Sequence, residues 1–169
     1  MSRNVGLEPK HVLVYVIRPT LGRMAEATSP AMASPAAERL VLGSMVYESR
    51  LVWLRQLAGG PAMGLGQMEP NTFHDLWKRA AFSKELFQVL RGCLCSFLAP
   101  VEQMTGNLYL QVAMCRLLYW YAPGALPGPS DVAGLANYYK QHYNTSLGKG
   151  SPDGWVHDYH LYVEDAFDE

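Results

Sequence analysis

The chain has 169 residues, of which 49% are hydrophobic and 17% charged, and its formal net charge is −1. This length suits one domain with a sizeable core, and the composition is that of a globular rather than a disordered chain. A net charge so close to zero gives no electrostatic footprint for nucleic acid or for an acidic membrane surface, so we expect no nucleic-acid partner.

The N-terminal segment combines an apolar stretch with a linker of small residues. Residues 10–24 contain the run HVLVYVI, which is too short for a membrane span. It runs into Arg18-Pro19, a poor body for a signal peptide. We therefore predict no membrane span and recognise no signal peptide. Residues 1–33 are expected to form an N-terminal arm, or a helix followed by the linker.

A buried helix is predicted to begin at Ser34-Pro35, where a capping hydroxyl precedes a proline at the first helical position. Residues 36–49 are apolar almost all round, which is typical of a helix in the middle of a domain. Glu48 lies on the same helical stripe as Leu40, Val41 and Ser44. The pattern therefore places a carboxyl group on or near a buried face, at the C-terminal end of this helix.

Two effects are expected to raise the pKa of Glu48. Desolvation disfavours the ionised form, and so does the negative end of the helix dipole. A carboxyl group with a raised pKa is what a general acid working near neutral pH requires. The alternative is an exposed glutamate, or one paired with Arg50 or Arg55.

Further helices are predicted along the rest of the chain, and no run alternates well enough to predict a strand. Asn71-Thr72 should cap the next helix, with Asp75 in its first turn. The other predicted elements are helices over residues 83–98, 107–121 and 131–143, a turn-rich segment at 144–154 and a last amphipathic helix at 155–167. The sequence therefore predicts a mainly α-helical single domain over residues 1–169.

The three cysteines do not form a recognisable disulfide or zinc pattern. Cys93-x-Cys95 lacks the second pair that a zinc site needs, and Cys115 is left over. Unpaired cysteines usually behave as small hydrophobic residues, so we predict buried free thiols. We expect neither a metal site nor a cofactor.

The loop after Glu48 carries the most distinctive motif. Glu48-Ser49 is followed by a glycine-rich loop, by Gly64-Leu65-Gly66-Gln67-Met68 and by Pro70-x-Thr72. These residues and their spacing resemble the soluble lytic transglycosylases and goose-type lysozymes, and especially small phage-encoded members of that group. In that family an acid–serine pair ends a buried helix, and a Gly-Leu-Met-Gln stretch lines the sugar cleft. The resemblance is firm over residues 36–80.

The resemblance implies a lysozyme-like fold with little or no β structure, in which residues 34–150 form the core and residues 151–169 a C-terminal helix. It makes Glu48 the catalytic acid. It also implies that substrate is bound by Ser49, Gly64, Gln67, Met68, Asn107, Tyr143 and Asn144.

The later motifs of the family lie over residues 107–148 and are fainter. Asn107 begins a helix rich in leucine and tyrosine, as in the family, although the glycine and tyrosine usual inside that helix are not at the expected positions. Tyr143-Asn144 matches the turn whose tyrosine approaches the catalytic acid, and Tyr138 and Tyr139 are rivals for this role.

The implied reaction is cleavage of the bond between N-acetylmuramic acid and N-acetylglucosamine in peptidoglycan glycan strands. A lytic transglycosylase needs only one catalytic acid, and this mechanism is favoured. An inverting lysozyme needs a second carboxylate roughly 6.5–9.5 Å away, for which Glu69 and Asp75 are the candidates.

The alternative function is a non-catalytic module on the same fold, which binds peptidoglycan or assembles with other virion proteins. In that case the first 30 residues would serve as an attachment arm. Both functional hypotheses imply a location in a phage virion, or in the host periplasm and cell wall after release.

Overall fold

Helices follow one another along the chain and are joined by irregular connections, as the sequence predicts. The structure is a computed structural model that describes residues 6–144 and 148–168. Its helices are α1 (9–26), α2 (Pro35–Ser49), α3 (Pro70–Ala80), α4 (Lys84–Gly92), α5 (Leu108–Trp120), α6 (132–144) and α7 (152–167). The prediction of a mainly α-helical chain is therefore confirmed.

Three of these helices contain a widened π turn. In α1 the π turn is Leu13–Ile17, in α6 it is Lys140–Asn144, and in α7 it is Tyr159–Val163. Short 3₁₀ turns lie at Pro30–Ala33, Leu57–Gly59, Glu102–Thr105 and, ending α7, Glu164–Phe167. Within the described residues the only β pairing consists of two isolated bridges, Arg55 with Met63 and Met63 with Met68.

Helix α2 is the centre of the domain and packs against α1, α5, α6 and α7. It begins as predicted, because the Ser34 hydroxyl accepts a hydrogen bond from the Ala37 N–H at 3.2 Å. Gly43 lies where α7 crosses it, and a Cβ atom at this position would overlap the ring of Trp155. This close approach requires glycine.

Helix α1 is part of the core. Its buried side chains are Pro9, Val12, Leu13, Ile17, Thr20, Leu21 and Met24. The segment before it is tied to the end of α2, since Gly6 N–H donates to Arg50 O at 2.9 Å and Leu7 N–H donates to Leu51 O at 3.2 Å. The described part of residues 1–33 is therefore a packed helix and linker and does not form a separate arm.

Some predicted elements coincide with residues that the structure does not describe. Residues 1–5 of the N-terminal segment, residues 145–147 of the turn-rich segment and residue 169 lie outside the described residues.

The predicted start of α3 is wrong. The helix begins at Pro70 with Glu69 as its N-cap, so Asn71 and Thr72 lie in the first turn and Asp75 lies beyond it. Proline suits the first helical position because its fixed φ is helical and its missing N–H would have no partner there. This preference outweighs the capping preference of the two polar residues behind it.

The helix predicted over residues 83–98 ends early, at Gly92. Beyond it, buried Gln103 holds the chain in a non-helical path by donating to Cys95 O at 3.0 Å and to Leu98 O at 2.9 Å. Asn107 adds a hydrogen bond to Cys93 O at 2.6 Å. In a helix these backbone carbonyls would accept hydrogen bonds from backbone N–H groups. Here the two side chains donate to them instead, so the carbonyls are satisfied without a helix.

All three cysteines are free thiols, but only Cys115 is fully buried. Burial raises the pKa of the Cys115 thiol to about 12. Cys93 and Cys95 are partly exposed, because they lie in the irregular segment after α4. The prediction of buried thiols is therefore confirmed for Cys115 alone.

The described ranges contain neither a helix that could span a membrane nor a cluster of metal-ligating side chains. No helix within them is long and apolar enough to cross a bilayer. They also contain no group of three or more His, Cys, Asp or Glu side chains arranged to hold a metal ion.

Ala58 provides a stability prediction, because it is exposed and has a left-handed φ of 59°. Left-handed backbone costs a residue with a Cβ atom about 1–2 kcal/mol, whereas glycine adopts it freely. We expect Ala58→Gly to raise the free energy of unfolding by about 0.5–1 kcal/mol in urea denaturation. The control is Ala81→Gly, at an exposed residue with a right-handed φ of −64°, which should not gain stability. If both variants lose the same free energy of unfolding, the prediction is contradicted.

Candidate active site

A cleft of about 910 Å³ opens beside the C-terminal end of α2. It is lined by the end of α2, by the loop between α2 and α3, by the last turns of α6 and by residues 148–150. A concave site of this size, with polar groups converging on it, is typical of a binding site for a small molecule or a chain segment.

Glu48 lies in this cleft as the next-to-last residue of α2. Its Oε1 accepts a hydrogen bond from the hydroxyl of Tyr139 at 2.5 Å. Burial raises the pKa of Glu48, and hydrogen bonding from Tyr139 and Asn144 opposes the rise by favouring the charged form. The predicted rise of this pKa is confirmed, with desolvation, one of its two predicted causes, as the reason.

The tyrosine that approaches the acid is Tyr139, one of the two rivals to the expected Tyr143. The Tyr143 hydroxyl instead donates to Gly66 O at 2.6 Å. The two rings stack with centroids 5.8 Å apart, because residues four apart share one face of α6. Tyr138 lies on another face, where its ring packs against Tyr119 and His142. Tyr143 still lines the cleft, so the correction concerns only its contact with Glu48.

The ring of Tyr139 is fully buried and held from two sides. Tyr47 meets it edge-on with centroids 5.5 Å apart, and Trp155 stacks on it at 6.4 Å. Such aromatic packing restricts the ring, so the hydroxyl is directed at the Glu48 carboxyl by α2 and α7 together.

The predicted sugar-binding stretch reaches the cleft with Gln67 and Met68. Gln67 has a left-handed φ of 47°, and its amide nitrogen donates to Gly64 O at 2.8 Å and Trp53 O at 3.2 Å. Gly64 is buried behind the cleft, with a φ of 73°, and a Cβ atom there would lie 2.5 Å from Met104 O. The role of Gly64 in this structure is therefore to allow the turn that presents Gln67.

Two further predicted residues do not line the cleft. Ser49 is buried, and its hydroxyl donates to Met45 O at 3.1 Å and accepts from Leu51 N–H at 3.2 Å. Asn107 caps α5 by accepting from Leu110 N–H at 3.1 Å. Both side chains are engaged with backbone groups, so the structure gives them structural roles at helix ends.

Asn144 lies in the cleft beside Glu48. Its Oδ1 accepts from Lys140 Nζ at 2.9 Å, which directs the amide nitrogen toward the carboxyl of Glu48 and the hydroxyl of Tyr139. The expectation that Asn144 belongs to the site agrees with this placement.

Of the two candidates for a second acid, Glu69 lines the cleft and is exposed, whereas Asp75 does not line it. Asp158, a buried residue of α7, also lines the cleft and is not among the residues predicted from the sequence. Asp158 Oδ1 pairs with Arg50 Nη2 at 2.8 Å. Burial raises the pKa of Asp158, and the Arg50 guanidinium opposes this. No local signal in α7 marks this residue, because its partner is far away in the chain.

Tyr139→Phe tests the hydrogen bond to the acid. Losing a bond that favours the charged form raises the pKa of Glu48 further. A general acid acts while protonated, so the basic limb of the pH–rate profile for any acid-catalysed cleavage should move to higher pH. The maximal rate should fall about 10-fold or more, since hydrogen bonds to charged groups contribute about 1.5–3 kcal/mol. Tyr143→Phe is the control and should leave the basic limb in place. An unchanged limb in Tyr139→Phe would contradict the assignment.

The arrangement is suited to donating a proton to a polar ligand. A desolvated carboxyl group, the amide of Gln67 and the half-exposed ring of Trp53 all face one cleft. No protein-family model, curated protein or solved structure matches this chain, so the function of the site is inferred from its own residues.

Proposed function

We propose that this protein is a peptidoglycan-degrading lytic transglycosylase or muramidase that cleaves the bond between N-acetylmuramic acid and N-acetylglucosamine. The observation that carries the proposal is the carboxyl group of Glu48, which is desolvated, bonded to Tyr139 and placed in a cleft with Gln67. The resemblance over residues 36–80 supports it, and with it a lysozyme-like fold.

In the proposed reaction Glu48 acts first as acid and then as base. The neutral carboxyl gives its proton to the glycosidic oxygen, and the bond from the muramyl anomeric carbon to that oxygen breaks. The carboxylate then takes the proton of the muramyl 6-hydroxyl, whose oxygen bonds to the anomeric carbon and closes a 1,6-anhydro ring. Burial favours the protonated carboxyl before the reaction, and Tyr139 and Asn144 stabilise the carboxylate between the two steps.

The substrate would be held by groups on both sides of Glu48. The amide nitrogen of Gln67 is engaged with Gly64 O and Trp53 O, so its amide oxygen is the atom that can accept from hydroxyl or acetamido groups. Met68 and Tyr143 offer apolar surface on the same cleft. Trp53, 46% exposed at the cleft, is placed to stack on a sugar ring.

A single acid accounts for the site better than a pair. Glu69 is exposed on the cleft surface, and Asp158 is already engaged with Arg50 at 2.8 Å. A muramidase acting by inversion would need one of them as a free base that activates water. The transglycosylase is therefore the preferred form of the proposal.

The test is mass spectrometry of the muropeptides released when the purified protein is incubated with purified peptidoglycan. Muropeptides with 1,6-anhydro ends would support the transglycosylase. Products with reducing ends would support the muramidase and make Glu69 and Asp158 the residues to replace next. Intact peptidoglycan, with the protein shown to be folded by circular dichroism, would refute the enzymatic proposal.

A second candidate is a non-catalytic module that binds peptidoglycan or other virion proteins. The observation that favours it is the pair of strongly exposed rings of Phe82 and Phe97, with 92% and 80% of their surface accessible. Exposed aromatic side chains of this kind occur at protein interfaces. In either case the proposed location is a phage virion, or the host periplasm and cell wall after release.

A further inference from the structure

The end of α2 presents a second charged group to the cleft, two residues after the acid. Arg50 has a left-handed φ of 55° and lines the cleft. Its guanidinium lies 4.6 Å from the ring centroid of Tyr162, and its Nη2 pairs with Asp158. The other terminal nitrogen, Nη1, is buried and has no hydrogen-bond partner among the described residues. Buried donors are almost always satisfied, so this nitrogen is a candidate for a polar partner that the described residues do not supply.

A second cation, Lys149, lies at the same cleft in the described segment 148–151. Lys140 Nζ donates to Gly148 O at 2.8 Å, and Ser151 N–H donates to Tyr47 Oη at 3.0 Å. Gly150 lies against the Tyr47 ring, where an added Cβ atom would be 3.0 Å away. These contacts fix the loop on both sides of Lys149, which is exposed and lines the cleft.

We propose that Arg50 and Lys149 form a carboxylate-binding site in the cleft. The inference rests on the proposed function, because it identifies the ligand of this site as a carboxylate group of the peptidoglycan strand. A guanidinium and an ammonium group form strong charge-assisted hydrogen bonds with carboxylates.

Two parts of the substrate carry such carboxylates. One is the lactyl group of an unsubstituted N-acetylmuramic acid, and the other is the peptide stem attached to it. Oligomers of N-acetylglucosamine have the same backbone of sugars but no carboxylate. The site therefore distinguishes peptidoglycan from neutral glycans of the chitin type.

The experiment measures binding in the Glu48→Gln protein, in which the glycan stays intact. Three tetrasaccharides are compared by isothermal titration calorimetry: chitotetraose, a muramyl tetrasaccharide with free lactyl groups, and the same tetrasaccharide carrying peptide stems. We expect at least one muramyl ligand to bind about 10-fold more tightly than chitotetraose at low salt. Adding Lys149→Gln should remove most of this difference, as should 0.5 M NaCl. The matched control is Lys78→Gln, which neutralises an exposed lysine outside the cleft.

The two muramyl ligands separate the possible sources of the carboxylate. Tighter binding of the free lactyl form assigns the site to that group, and tighter binding of the substituted form assigns it to the peptide stem. Equal affinities for all three tetrasaccharides, unchanged by Lys149→Gln, would overturn the inference.

A different result would separate this inference from the proposed function. If no tetrasaccharide binds, D-lactate is titrated while the side-chain N–H signals of arginine are followed by NMR. Lactate-induced shifts that Lys149→Gln abolishes would retain the carboxylate site and refute the proposed glycan substrate. If lactate does not shift the arginine side-chain N–H signals, the carboxylate-binding site is refuted as well.

Discussion

Replacing Glu48 by glutamine is expected to slow the release of muropeptides from peptidoglycan by about 10²–10⁴-fold, the range that general acid catalysis contributes. The amide keeps the volume of the carboxyl group and can still accept the hydrogen bond from Tyr139. It cannot give a proton to the glycosidic oxygen. The measurement is the rate of muropeptide release by liquid chromatography and mass spectrometry.

Glu69→Gln is the matched control, since it removes an exposed acid from the same cleft. In the transglycosylase it should cleave at a rate close to that of the native protein. A Glu48→Gln protein that still cleaves at the native rate would show that Glu48 is not the acid. A large loss of cleavage rate in Glu69→Gln instead would indicate that a second carboxylate takes part in the reaction.

The thermal stability of Glu48→Gln is the control that distinguishes a loss of catalysis from a loss of folding. Burial raises the pKa of Glu48 above its ordinary value of 4.5, so the folded state binds this proton more tightly than the unfolded state does. The ionised carboxyl therefore destabilises the fold, by an amount that grows as pH rises from about 4.5 to the folded-state pKa and is constant above it. Glu48→Gln removes this cost. Its melting temperature at pH 7 should exceed that of the native protein, and the difference should shrink at pH 4.

Replacing Trp155 by alanine is expected to lower the free energy of unfolding by about 3–5 kcal/mol. The ring is fully buried, stacks on Tyr159 with centroids 5.3 Å apart and packs on the bare backbone at Gly43. Removing it leaves a cavity between α2 and α7 that the surroundings cannot fill. The measurement is denaturation in urea, followed by circular dichroism.

Trp53→Ala is the control for this second prediction. Its ring is 46% exposed at the cleft, so its loss should cost about 1 kcal/mol or less. If Trp155→Ala does not fold, Trp155→Phe keeps an aromatic ring in the site and should cost less than the full truncation. Equal losses in Trp155→Ala and Trp53→Ala would show that α7 is not part of the core.

The packing of Trp155 links the C-terminal helix to the site. The same ring supports Tyr139, whose hydroxyl bonds to Glu48. Asp158, from the next turn of α7, holds Arg50 at the end of α2. Helix α7 lies outside residues 36–80, on which the proposed function draws, yet it positions groups on both sides of the carboxyl of Glu48.

Three helix starts were predictable because their signal lies within a few residues, whereas the last helix begins at Pro152, capped by Ser151, and not at residue 155 as predicted. The caps at Ser34, Asn107 and Asp131 each bond to a backbone N–H three residues later, so the information is local. The start of α3 was not found because two local preferences compete there, and the proline prevailed. The end of α4 was not found because Gln103 and Asn107, beyond the helix, redirect the chain.

Helical periodicity in the sequence predicts a helical domain, a buried α2 and a carboxyl group on or near the buried face of its last turn, because this periodicity encodes burial directly. Which groups contact this carboxyl depends on the tertiary structure. Tyr139 and Glu48 are 91 positions apart, and Asp158 reaches Arg50 from another helix. Their contacts depend on the path of the intervening loops and on the packing at Gly43 and Trp155, and no short stretch of sequence specifies these.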